Sequence, residues 1–244
     1  MGRSLEEMRF ALKDLSIIAM FTGVVCVATV ILKMDIPATH GFFNVGDSMV
    51  YVTALLFGPV IGGIAGGLGS SLADILLGFP FYAPGTFVVK GVEGLIVGYV
   101  GHKVRPKIET SVKWDALGIF LGVSLGGIVC YLGLTYYIGI FGNFVIEKLF
   151  WVVVATLLGI SIAYLGISRR SMINWQIVSI ICGGTAMILG YYLYETLLLP
   201  LIVPEWEIIA IAEVPFNIGQ AVIGLMVAVP IVRTVWRALP SLKA

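Results

Sequence analysis

Between Phe42 and Gly101 the chain reads FNVGDSMVYVTALLFGPVIGGIAGGLGSSLADILLGFPFYAPGTFVVKGVEGLIVGYVG, three apolar stretches broken by polar loops and dense in glycine. Gly58, Gly62, Gly66 and Ser70 form one row at four-residue spacing, with Gly63, Gly67 and Ser71 beside it. In lipid, rows of small residues let neighbouring helix backbones approach closely. The segment therefore implies a bundle of tightly packed membrane helices. Composition agrees: a chain of 244 residues that is 59% hydrophobic and 12% charged, with a mean hydropathy of +1.03, cannot hide its apolar surface inside a soluble core.

A helix needs about 20 mainly apolar residues to cross the hydrocarbon core. The sequence offers eight candidate spans, at 12–33, 45–58, 60–78, 86–103, 115–138, 143–167, 174–199 and 208–236. The second and third are individually short. Gly58-Pro59 between them reads as a tight turn between two spans or as a kink in one re-entrant element, and the turn is favoured. The chain is thus expected to be an all-α integral membrane protein, a single transmembrane domain over 1–244.

Cytoplasmic loops are enriched in Lys and Arg. With both termini inside, Arg3, Arg9, Lys13, Lys103, Arg105, Lys107, Lys113, Arg169, Arg170, Arg233, Arg237 and Lys243 fall on one side, twelve of the fifteen basic residues. An odd number of spans would destroy this agreement. The predicted location is the cell membrane, multi-pass, with cytoplasmic N- and C-termini.

The basic residues are accounted for as topology determinants, and a net charge of +1 gives no reason to propose a nucleic acid partner. Cys26, Cys130 and Cys182 fall within spans, are odd in number and lack metal-ligand spacing, so they read as small packing residues and no metal site is proposed. The N-terminal apolar run exceeds a signal-peptide core and lacks an A-x-A-like cleavage site after it, so it is expected to remain as the first span. There is no GxxxxGK[ST] or HExxH motif, and His40 and His102 fall at opposite membrane faces. An intramembrane enzyme should align paired ionisable groups at one depth, whereas the candidates here sit near the outer ends of spans. No enzymatic role and no cofactor are expected.

Ionisable and amide groups inside spans are costly and mark function by default. Lys90 and Glu93 are three apart, on one helix face, where they pair with each other or hold a polar ligand. In EVPFNIGQ, Glu213, Asn217 and Gln220 stand at i, i+4 and i+7, a polar stripe on an apolar helix. Such a stripe faces a cavity or a partner; for Glu213 a solvated helix end is the alternative, but Gln220 is too deep for that. Phe42, Phe43 and Asn44 lead into Asp47 before the second span, Phe79, Phe81 and Tyr82 follow the third, and Trp206 precedes the last. Aromatic residues at this level are commonly interfacial anchors. Clustered beside polar stripes, they also suit a small, flat, partly polar ligand.

These motifs resemble a family. FNVGDSMVYVTALLFGPVIGGIAGGLGSSLADIL, GTFVVKGVEGLIVGYVG and AEVPFNIGQAVIG are similar in position and spacing to segments of the substrate-binding S components of energy-coupling factor (ECF) transporters, of the riboflavin-type group. The resemblance covers a little over half of the chain. It implies a six-helix bundle with cytoplasmic termini and a vitamin site near the extracellular face, and it makes Asn44, Asp47, Lys90, Glu93, Glu213, Asn217 and Gln220 the candidate substrate-binding residues. The segment 114–168 departs from the pattern and is expected to be an inserted transmembrane hairpin, giving about eight spans. The implied partners are a vitamin ligand, a transmembrane coupling subunit and two ATPase subunits that supply the energy. The implied ligand is riboflavin first, then pyridoxine or a pyrimidine precursor of thiamine.

In the family, small residues on the first helix meet the coupling subunit. Here Ala11, Leu15, Ala19, Gly23 and Val27 run at four-residue intervals, so Ala11, Ala19 and Gly23 are the candidate interface, with an intramolecular packing face as the alternative. Two other classes stay open: a self-sufficient secondary transporter, for which the internal repeat between halves is lacking, and a structural membrane protein, which leaves the polar cluster without a ligand.

Overall fold

The computed structural model of the chain describes residues 5–36, 40–103, 112–136, 171–206 and 210–242, with single positions between 148 and 163. The chain is an all-α membrane bundle with one small β-hairpin. Helix α1 (Leu5–Ile31) leads into β1 (Lys33–Ile36), which pairs antiparallel with β2 (Gly41–Asn44), Lys33 opposite Asn44 and Ile36 opposite Gly41. The sequence pattern gave this stretch only as a polar loop.

Helix α2 (Asp47–Phe57) follows at once. The Asn44 side-chain oxygen accepts from the Gly46 N–H at 2.8 Å, and Asp47 places its charge in the first turn, where the exposed backbone N–H groups favour an anion. The run from Val50 to Leu56 is buried throughout. At 11 residues α2 is about 16 Å long and cannot cross a hydrocarbon core of about 30 Å. The second predicted span is therefore corrected to a buried half-span. The turn after it is the one expected: Gly58 has φ +87°, a conformation that L side chains rarely adopt, and Pro59 opens α3 (Pro59–Leu77). Gly78, at φ +88°, closes α3, its N–H turned back to the carbonyls of Asp74 and Ile75.

Helices α4 (Ala83–Lys103), α5 (Val112–Tyr136) and α6 (Ser171–Leu193) follow. The last runs through a π-helical turn (Tyr194–Leu198) into the short α7 (Leu199–Ile202), and α8 (Val214–Ala238) completes the bundle. Four stretches, Leu12–Ile31, Pro59–Leu77, Trp175–Ile202 and Ala210–Ala238, are long and apolar enough to cross a membrane. The sixth predicted span, 143–167, lies outside the described residues apart from the single positions. Two of these lie close to α5: a side chain at Gly126 would meet the Ala155 carbonyl at 2.9 Å, and one at Gly122 would meet the Gly159 carbonyl at 2.5 Å.

The glycine rows explain the packing order. On α3, Gly62 lies against the Ala54 backbone of α2, Gly63 and Gly67 against the Gly91 and Phe87 carbonyls of α4, and Gly69 against the Thr22 carbonyl of α1. One helix thus meets three neighbours through small residues on different faces. Helix α4 in turn packs on α6, and α2 on α8, so α2 is enclosed. Of the cysteines, Cys26 and Cys130 are partly buried but Cys182 faces outward, which corrects its reading as a packing residue.

Candidate functional site

Two polar constructions occupy the half of the bundle that carries the hairpin. The deeper one joins α2, α4 and α8. The Lys90 ammonium pairs with Asp47 and, at 3.1 Å, with Glu93, whose other oxygen accepts from the Tyr51 hydroxyl at 2.7 Å. Gln220 donates its amide to both Asp47 oxygens at 3.2 Å, while its carbonyl accepts the Asn44 N–H at 3.0 Å. All of these side chains are buried, so each charge relies on its partners. Glycines make the slot for Tyr51: a side chain at Gly184 of α6 would meet its hydroxyl at 3.2 Å, and one at Gly224 of α8 would meet its ring at 2.7 Å.

Above this network lies a small cavity of about 20 Å³. Its polar wall is Asp74, Thr86, Glu213, Asn217 and Gln220, from α3, α4 and the start of α8; Phe42, Tyr82 and Tyr191 supply aromatic surface. The Tyr191 hydroxyl donates to Thr86 Oγ1 at 3.1 Å, and Thr86 in turn hydrogen-bonds the Asp74 carboxyl. Glu213 stands at the N-cap of α8, buried, against β2. A side chain at Gly41 would meet its carboxylate at 2.9 Å, so the hairpin backbone approaches the Glu213 carboxylate closely at this glycine. The π-helical turn brings the buried Glu195 against Glu213. Turns of this kind are frequent at functional sites.

Aromatic pairs cover the cavity on the hairpin side. Phe42 packs on Phe79 with ring centroids 4.9 Å apart, and Trp206 lies between His40 at 4.6 Å and Phe81 at 5.7 Å. Lys33 stands 4.6 Å from the Phe79 ring centre. A volume near 20 Å³ is room for about one water molecule. Any ring-sized ligand entering here must part these segments.

The model of the family described as ECF-type riboflavin transporter, S component, matches residues 9–136, just over half of the chain. The chain belongs to this family. It is a multi-pass membrane component of a vitamin transporter, not an enzyme. An uncharacterized protein in the gap 3' region of Pyrococcus woesei is 46% identical over 109 residues, which are 45% of this chain and 67% of that one. The thiamine precursor transporter HmpT of Lactococcus lactis subsp. cremoris is 27% identical over 126 residues, 51% of this chain and 70% of its own. No solved structure matches significantly.

The S component brings its seven candidate binding residues into one region, all buried. Asn44, Glu213, Asn217 and Gln220 line the cavity, whereas Asp47, Lys90 and Glu93 form the network beneath it and reach the cavity through Gln220. Both readings of Lys90 and Glu93 bear on this: they do pair with each other, and Asp47 joins them from another helix. Glu213 is at a helix end, as the alternative had it, yet it is buried rather than solvated. On α1, Ala19 and Gly23 lie on the outward face with Leu15 and Val27, and Gly23 has nothing within 4 Å of where a side chain would start. The Ala11 side chain is outside the described residues.

Sequence reasoning missed Asp74, Thr86, Tyr191 and Tyr51. The rule that singled out Lys90 applies equally to Asp74, an acid within the third span. Thr86 and the two tyrosines carry no such signal, because hydroxyl-bearing residues are ordinary in membrane helices.

Proposed function

We propose that this S component captures a water-soluble vitamin or vitamin precursor in the cavity between α3, α4, α6 and α8 and delivers it inward with an ATP-driven coupling module. The observation that carries the reading is the convergence of Asp74, Asn217, Gln220 and Glu213 on one cavity inside an otherwise apolar bundle. Polar groups buried at such a depth need partners, and Asn217 has no side-chain hydrogen bond among the described residues, leaving its amide to a ligand. The residues placed at the ligand are Asn44, Glu213, Asn217 and Gln220, with Asp47, Lys90 and Glu93 holding Gln220 and the helices around it.

Cytoplasmic termini are assigned from the distribution of basic residues, and with that orientation the hairpin end faces outside, where a vitamin arrives. The outward row Ala19, Gly23 and Val27 on α1 is the face assigned to the coupling subunit, with Ala11 included on the four-residue spacing of the sequence alone; two ATPase subunits complete the module. The segment 114–168 is assigned to an inserted hairpin at the rim of the bundle, a reading supported by α5 packing on α6 and α8 among the described helices. Riboflavin is suggested by the family's description, and a thiamine precursor by the name of the Lactococcus relative.

The test is mass spectrometry of small molecules released by heat from the detergent-purified protein, followed by thermal-shift measurements across a vitamin panel. A released flavin, pyridoxine or pyrimidine supports the assignment. An empty spectrum with no stabilisation by any panel member overturns it.

A further inference from the structure

We infer that Glu195 positions Glu213 at the cavity wall by sharing a proton with it, so that the hairpin closes with the proton bound and opens when it leaves. The bearing of this on vitamin capture rests on the cavity being the vitamin site. Glu195 does not itself line the cavity. It is 1% exposed, turned inward by the π-helical turn, and its carboxyl lies against that of Glu213. Among the described residues, neither of its oxygens has a hydrogen-bond donor, and Glu213 is the one charged group that acts on it. A buried carboxylate without donor or cation, set against a second carboxylate, is costly on both counts. A proton between the two removes both costs, because one oxygen becomes a donor and one charge is lost. Glu213 begins α8, where the helix N-terminus favours an anion, so the proton belongs on Glu195.

Glu213 links the pair to the hairpin. A side chain at Gly41 of β2 would meet both of its carboxylate oxygens, at 2.9 and 3.1 Å. Once the proton is lost, repulsion drives Glu213 away from Glu195, and the Gly41 backbone stands in its path. The other ionisable groups around the pair do not relieve it. Asp74 on α3 is a further acid acting on Glu213. Lys90 on α4 is held by Glu93 and by Asp47 of α2. On α6, the Tyr191 and Tyr194 hydroxyls donate to Thr86 and to the Phe81 carbonyl. On the hairpin, Lys33 pairs with Asp35 at 2.9 Å and His40 stacks on Trp206. Glu205, after α7, is again an acid.

The experiment is hydrogen exchange read by mass spectrometry on the full chain in detergent, from about pH 5 to about pH 10, which brackets exposed and buried carboxyls. The reporter is the peptide bearing β2, whose Asn44 amide is held by Gln220. Wild type is compared with Glu195→Gln, whose neutral amide keeps a donor at every pH. Intrinsic exchange, His40 and the tyrosines are common to both proteins, so the ratio of their rates isolates the pair. The expected rates agree within about twofold at the acid end, with wild type at least tenfold faster at the alkaline end. A ratio that is flat across the range overturns the inference. If Glu195→Gln does not fold, Glu213→Gln serves in its place. If neither folds, protection of β2 in wild type decides: a fall at alkaline pH upholds the inference and constant protection overturns it. Riboflavin titrated by calorimetry separates this from the vitamin reading. Binding at least tenfold tighter at the acid end in wild type, but not in Glu195→Gln, ties the proton to capture, and equal binding at both ends overturns that tie. A pH-dependent exchange ratio without riboflavin binding leaves the proton site standing and removes riboflavin from the cavity.

Discussion

Gln220 on α8 donates its side-chain amide to both carboxylate oxygens of Asp47 on α2, at 3.2 Å each. Because the Gln220 carbonyl also holds the Asn44 backbone, this residue ties the floor of the cavity to the hairpin that covers it. The cavity floor is thus connected through hydrogen bonds and ion pairs to α2 and α4. Four consequences can be measured.

Replacing Lys90 with Met leaves Asp47 and Glu93 buried without their cation. Breaking a buried pair on one side costs about 3–5 kcal/mol. Thermal unfolding in detergent should show a clearly lowered Tm for Lys90→Met, and a smaller loss for Tyr51→Phe, which removes only the 2.7 Å bond to Glu93. An unchanged Tm for Lys90→Met would contradict the network as a structural element.

Asn217→Leu should behave differently. Its side chain has no internal hydrogen bond among the described residues to lose, so the Tm should hold while ligand affinity falls tenfold or more, as expected for a lost polar partner worth about 1–3 kcal/mol. Calorimetric titration with the vitamin released from the purified protein reads this directly.

Two glycine substitutions should separate packing from assembly. Gly224→Ala would bring a methyl group to 2.7 Å from the Tyr51 ring and 3.1 Å from the Asp47 side chain, and overpacking of this kind costs about 1–3 kcal/mol. Gly94→Ala would drive its methyl into the Gly62 backbone of α3, which cannot rotate away. Both should lower the Tm, with Gly94→Ala the more severe.

Gly23→Leu should do neither of these things. Nothing lies within 4 Å of its side-chain position, so stability and vitamin binding should match wild type. Uptake by cells that also express the coupling subunit and ATPases should fall, if the outward face of α1 docks there. Retained uptake would remove α1 from that role, and loss of binding would show an internal one.

Much of the fold is legible in the chain itself. The apolar stretches, the Gly58-Pro59 turn, the small-residue rows on α3 and the stripe of Glu213, Asn217 and Gln220 are local patterns, set by hydrophobicity and by 3.6-residue periodicity within one helix. Two local readings needed correction. The second span looked like a short crossing because its apolar run is continuous, yet a helix of 11 residues buried on all sides carries the same pattern as one facing lipid. The hairpin of β1 and β2 was invisible because four-residue strands leave almost no periodic signal.

What the sequence by itself determined is the class of protein, its membrane setting and the polar positions on each helix. Only the tertiary structure decided that Asp47 completes the Lys90–Glu93 pair, that Tyr51 fits between Gly184 and Gly224, and that Asp74 and Thr86 join Glu213 and Asn217 at one cavity. The reason is physical. A helix's own spacing fixes which of its residues share a face, but its depth and rotation against its neighbours are fixed by close backbone contacts such as Gly63 on Gly91 and Gly94 on Gly62. Those contacts join residues far apart in the chain, and they set which polar groups meet.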